Sequence, residues 1–150
     1  MPIVDVMRAR LVTVAPGHMV QQAVALMLEE DVGAVVVCED ARLVGIFTER
    51  DVLRLAGRGA DLAALRVGEV MTTGLVTASP DDDILAVARL MGERRIRHVP
   101  VLQGEHVVGV VGIRDVVDVL AERLWRDHDD VARETVHELL ARPPRRAAHT

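Results

Sequence analysis

Thr48, Arg50 and Asp51 fall together in the run GIFTERD, Gly45 to Asp51, where an apolar stretch gives way to a helical one. Backbone N–H groups at a helix N-terminus point outward and favour anions. To these Thr48 adds a hydroxyl donor and Arg50 a planar cation that matches phosphate. Asp51, acceptor-only when ionised, suits the two hydroxyls of a ribose. Gly45 allows close backbone approach. A plainer reading of the same residues has Thr48 capping the helix and Asp51 sitting in its first turn. The arginine–aspartate pair returns, however, as Arg114 and Asp115 in GVVGIRD, Gly109 to Asp115, and a helix start alone does not require it.

A second group is IRHVPV, Ile96 to Val101, in which Arg97 and His98 open an otherwise apolar strand. Charge is costly there unless compensated. Either the two residues meet an anionic ligand at the mouth of the strand, or they form a solvated strand end. His98 has no neighbouring carboxylate or histidine at metal-ligand spacing. The other histidines (His18, His106, His128, His137 and His149) form no cluster. Ser79 lacks a nucleophile elbow, Asp81 to Asp83 read as helix capping rather than a metal site, and no P-loop or dinucleotide fingerprint occurs. Catalysis finds no support, and the chain is read as a non-enzyme.

The elements that position these groups occur twice. The turns at Gly45 and Gly109 are 64 residues apart, and the same offset pairs Met7 with Met71, Thr13 with Thr77 and Met27 with Met91. A gapless repeat means two copies of one structural unit. In the first copy, Ile3–Met7 is a lead-in and Leu11–Val14 a strand closed by Pro16-Gly17. Met19–Glu30 has helical periodicity, and Val32–Cys38 and Leu43–Thr48 are strands. Glu49–Arg58 is a helix stopped by Gly57 and Gly59. Residues 59–66 link the copies. The second copy repeats the pattern: lead-in Val67–Met71, strand Leu75–Ala78, helix Asp82–Arg95, and strands His98–Leu102 and His106–Gly112. Its last helix starts at Ile113 and runs on to about Arg142, with a break near Arg126 that Asp127 or Asp129 could cap. Pro143-Pro144 ends it, and the basic tail reads as disordered.

Half of the 150 residues are apolar, yet Phe47 and Trp125 are the only aromatics, so the core is aliphatic. A net charge of −5 with signs interspersed argues against nucleic-acid binding. Cys38, the only cysteine, reads as a small core residue and forms no internal disulfide. The N-terminus has no signal-peptide pattern, and no apolar run approaches the ~20 residues of a membrane span. The expectation is a soluble, cytoplasmic protein with no membrane partner.

The lead-ins VDVM and VGEVM, LVTV closed by a turn, the HVPV strand and the GIFTERD turn together resemble the tandem cystathionine-β-synthase-type (CBS) domain pair, over about Ile3 to Leu124. The resemblance implies an α/β fold of two β-α-β-β-α repeats packed as a pseudo-two-fold pair with facing sheets, here with a C-terminal helical extension. The divisions are 1–58, 59–66, 67–124 and 125–150. It also implies two clefts that bind AMP, ADP, ATP or related adenosyl ligands, and pairs that dimerise.

Carried over residue by residue, one cleft combines Thr48, Arg50 and Asp51 with Val76, Thr77, Ile96, Arg97, His98 and Pro100. Asp51 would hold the ribose, Thr48 and the basic residues the phosphate, and Ile96 would flank the adenine. The other combines Arg114 and Asp115 with Thr13, Val32, Gly33 and Ala34. Gly112 stands there in place of the family's Thr or Ser, and Gly33 and Ala34 supply no cation. The first cleft is therefore expected to be the better site and the second weak or empty. The functional expectation is a stand-alone regulatory module of bacterial signalling type. It would bind an adenine nucleotide, AMP foremost, need no cofactor, form a homodimer and modulate a regulated protein. The alternatives are a structural scaffold with vestigial clefts, or an interaction protein that docks a partner through the C-terminal helix bearing Trp125.

Overall fold

The computed structural model describes residues 1–8, 11–127 and 130–141. Asp129, His128, Pro143-Pro144 and the basic tail, to which the sequence reading gave roles, lie outside them. A 3-10 turn at Ile3–Asp5 precedes β1 (Thr13–Val14), α1 (Val20–Glu30), β2 (Ala34–Glu39), β3 (Arg42–Thr48) and α2 (Glu49–Gly57). The second copy has α3 (Val67–Val70), α4 (Ile84–Arg94), β4 (His98–Gln103), β5 (His106–Gly112) and α5 (Ile113–Arg126), followed by α6 (Asp130–Ala141). The α/β architecture of two repeats with a helical extension is thus the one expected. The helical break falls where expected too, with Asp127 as the C-cap of α5.

The repeat holds in three dimensions. Val35 pairs with Phe47 and Val37 with Gly45 in the β2–β3 hairpin; 64 residues on, Val99 pairs with Val111 and Val101 with Gly109 in β4–β5. Helix α1 buries Val20, Ala23 and Met27, and α4 buries the matching Ile84, Val87 and Met91. Periodic apolar positions on a helix and nearly continuous ones in a central strand produce these two faces. The sheet runs β1-β2-β3-β5-β4, and its halves join at one residue pair, Arg42 with His106. They therefore form one mixed sheet, where two facing sheets were expected, because the Arg42–His106 pair joins the edges of the two hairpins.

One strand is shorter than expected. Thr13 and Val14 run parallel to Val36 and Val37, but in the second copy only Ala78 bridges Val101. Gly74, at φ +65°, turns the chain just before this segment, and Pro80 follows closely. The expected strand Leu75–Ala78 is reduced to a single bridge.

The lead-ins cross over. Ile3 and Val6 belong to the core of the second repeat, with Ile84, Met91, Val99 and Val116, while Val67 belongs to the core of the first, with Val20, Val35, Phe47 and Leu55. Arg8 bridges Val110 on β5, and Thr72 bridges Ile46 on β3. Both Ile3 and Val67 are wholly buried, and each such side chain contributes about 1.5–3 kcal/mol. Each repeat is therefore closed by a segment that precedes the other.

The crossover accounts for the two turn glycines. A Cβ on Gly45 would lie 2.5 Å from Met71 Sδ, and one on Gly109 2.7 Å from Met7 Sδ. Gly45, read from sequence as room for a ligand's approach, is room for a lead-in methionine.

Candidate functional site

A cavity of about 460 Å³ opens between the repeats. Its apolar wall is Val12, the C-terminal half of α1 and Val52. The lining also includes the mouths of β2 (Val32, Gly33, Ala34) and β4 (Arg97, His98), with the N-termini of α2 (Glu49) and α5 (Arg114, Asp115). Arg8 enters from the first lead-in. Hydrogen bonds tie the strand mouths to the helix starts: Glu49 N–H donates to Gly33 O at 2.9 Å, and Ile113 N–H to Arg97 O at 2.8 Å.

The two helix starts then differ. At α2, Thr48 N–H and Thr48 Oγ1 donate to Asp51 Oδ2 at 3.0 and 3.1 Å, and Asp51 N–H donates to Thr48 Oγ1 at 3.4 Å. Thr48 and Asp51 satisfy one another, as in the plainer capping reading. At α5 the N-cap is Gly112, which gives the helix no side-chain cap. Asp115 Oδ2 accepts from Gly112 N–H at 3.1 Å, and Oδ1 accepts from Arg8 Nε at 3.3 Å. The first turn of α5 faces the cavity without a capping hydroxyl, and orphan N–H groups of that kind take up anions.

His98 lies between two glycines. A Cβ on Gly33 would sit 3.1 Å from Glu49 Oε1 and 3.4 Å from His98 Cε1, and one on Gly112 would sit 3.7 Å from His98 Cδ2. These glycines admit the imidazole and the Glu49 carboxylate. Burial pushes the His98 pKa down; the Glu49 and Asp115 carboxylates oppose the shift, and the Arg97 and Arg8 guanidiniums add to it.

The sequence reading distributed these residues differently. Arg97 and His98, assigned to the cleft of Thr48 and Asp51, face the cavity of Gly33, Ala34, Arg114 and Asp115 instead. The mouths of β2 and β4 lie close together, a Cβ on Gly33 falling 3.4 Å from His98 Cε1, so a long side chain on one reaches the other's cleft. Thr77 lines a separate cavity beside Arg42 and Leu102. Thr13 is exposed in β1, and its neighbour Val12 is the one that lines the site. Arg50 is exposed, Val76 and Ile96 are half-buried, and Pro100 is buried in β4, where its carbonyl accepts from Ala78 N–H at 3.0 Å. Arg8, Asp31 and Glu49 were missed as site residues.

The CBS-domain family model matches residues 3–58 and 67–122. The chain belongs to the CBS domain family. Among its relatives, the CBS domain-containing protein YhcV of Bacillus subtilis is 35% identical over 113 residues, covering 75% of this chain and 80% of that protein. Among solved structures, the CBS-domain containing protein ATU1752 from Agrobacterium tumefaciens is 31% identical, with a TM-score of 0.74 over 79% of this chain and 98% of that one. The CBS pair of protein MJ0100, solved with 5′-methylthioadenosine and S-adenosyl-L-methionine, shares the fold at a TM-score of 0.76 and 22% identity, over 82% of this chain and 98% of that one. Among the described residues, no helix is long and apolar enough to cross a membrane and no His, Cys, Asp or Glu cluster forms a metal site.

Proposed function

We propose that this CBS pair is a regulatory module that binds an adenine nucleotide in the cavity at the α5 N-terminus. The observation that carries the reading is that three arginines (Arg8, Arg97 and Arg114), Asp115 at a helix start without a side-chain cap, and an apolar wall all line one cavity. The wall takes the base, Asp115 the ribose, and the arginines with the helix N–H groups the phosphate. These cations favour AMP, ADP or ATP over an uncharged nucleoside. The ligand acts by biasing the packing of the repeats, and only through its differential affinity for their arrangements. The module works as a homodimer, modulates a partner and performs no catalysis of its own.

The test is a thermal-shift screen with AMP, ADP, ATP, 5′-methylthioadenosine and S-adenosylmethionine, on wild type, Asp115→Ala and Asp51→Ala. A ligand at 100 times its dissociation constant stabilises by about 2.7 kcal/mol. That shift is expected to vanish in Asp115→Ala and persist in Asp51→Ala. The reverse pattern would move the site to the α2 cleft, and no shift with any ligand would favour the scaffold reading.

A further inference from the structure

Arg8 is fixed by its backbone and exposed at its tip. Its N–H donates to Val110 O at 3.0 Å and its carbonyl accepts from Val110 N–H at 3.2 Å, so the lead-in is clamped to β5. The side chain is 57% exposed, with its Nε on Asp115 Oδ1. The carboxylate that the nucleotide reading gives to the ribose thus already has a cationic partner. The arrangement belongs to one cleft only: the residue matching Arg8 in the second lead-in is Thr72, and Asp51 is held by Thr48.

We infer that Arg8 sets the ligand class of this cavity, holding off uncharged nucleosides through its pair with Asp115 and leaving the carboxylate for a phosphate when one arrives. The inference rests on the nucleotide reading of the same cavity. A nucleoside must displace Arg8 and gives it nothing in return. A nucleotide offers a phosphate, which the guanidinium can grip through two parallel hydrogen bonds. The exchange frees Asp115 for the sugar hydroxyls.

Calorimetric titration of the full chain with AMP and with adenosine tests this, using wild type, Arg8→Gln, Arg8→Lys and Arg114→Gln. Loss of a charge-assisted contact is expected to weaken AMP about tenfold in Arg8→Gln. Release of an exposed ion pair is expected to strengthen adenosine about two- to fivefold in the same variant. Arg114→Gln, which removes a cation not paired with Asp115, weakens AMP without strengthening adenosine. Arg8→Lys keeps the charge and falls between wild type and Arg8→Gln; a melting curve confirms that each variant is folded. Equal weakening of both ligands in Arg8→Gln, or no change in either, overturns the role of Arg8 while the nucleotide reading stands. A wild-type chain that binds neither ligand overturns both.

Discussion

The starts of α2 and α5 occupy equivalent places in the two repeats and are in opposite chemical states. At α2 the fuller motif, with its threonine, closes on itself as Thr48 and Asp51 exchange hydrogen bonds. At α5 the hydroxyl is missing, the helix has no side-chain cap, and Asp115 turns one oxygen to a residue of the other repeat. A polar group satisfied by its own neighbour gains less from a ligand than one held by an exposed, exchangeable partner. The copy poorer in motif residues is therefore the one left open to chemistry.

The sharpest way to break this comparison is through Gly45 in β3 and Gly109 in β5, the glycines that face the lead-ins. Gly45→Ala would set a Cβ 2.5 Å from Met71 Sδ and 3.0 Å from Thr72 O, and Gly109→Ala would set one 2.7 Å from Met7 Sδ and 2.9 Å from Arg8 O. Overpacking of this kind costs about 1–3 kcal/mol, measurable as a lower urea midpoint in both variants. Only Gly109→Ala presses on the backbone of Arg8, so only it is expected to weaken AMP as well. Equal loss of affinity in both variants would show that the two cleft sides are not distinct.

Next in size is the cap itself. Thr48→Ala is expected to cost about 1 kcal/mol of stability while leaving the AMP titration unchanged. A loss of AMP affinity in that variant would bring the α2 cleft back as a site.

The pH response separates the strand mouths, since β4 opens on His98 where β2 has Ala34. With the native His98 pKa below the ordinary imidazole value of about 6.5, the unfolded chain takes up this proton first. Stability therefore falls as pH drops below about 6.5 through the native pKa. His98→Gln is expected to remove that part of the slope in melting curves between pH 7.5 and pH 5 (roughly the imidazole range). Bound AMP is expected to flatten it in wild type, because a phosphate favours the imidazolium.

The smallest effect lies in the hairpin turns. Asp40 and Ala41 carry φ of 50° and 64° between β2 and β3, whereas the second hairpin places Gly104 at φ 62°. Ala41→Gly is expected to raise the melting temperature by the equivalent of about 0.5–1 kcal/mol, since alanine is strained in that region and glycine is not.

Much of this was legible in the sequence. The order of elements followed from periodicity and turn residues, and the offset between the turns proved to be the offset between ladder pairs. The crossover was not legible. A perfect internal repeat is equally consistent with Ile3 packing on its own copy or on the other, because both arrangements preserve every spacing. For the same reason Arg8 carried no signal as a site residue and Gly45 was read as facing a ligand. Arg97 and His98 were recognised as unusual for a strand mouth, but which cleft they face depends on how close the mouths of β2 and β4 lie.

The crossed lead-ins have a consequence for the halves taken separately. Cut between residues 58 and 67, the first half would keep Ile3 with no pocket to fill and expose the slot that Val67 occupies. Two copies of that half could repair both defects only by trading lead-ins. The intact chain is thus a domain-swapped dimer written as one polypeptide, with residues 59–66 as the tether that makes the exchange intramolecular and keeps it at high effective concentration.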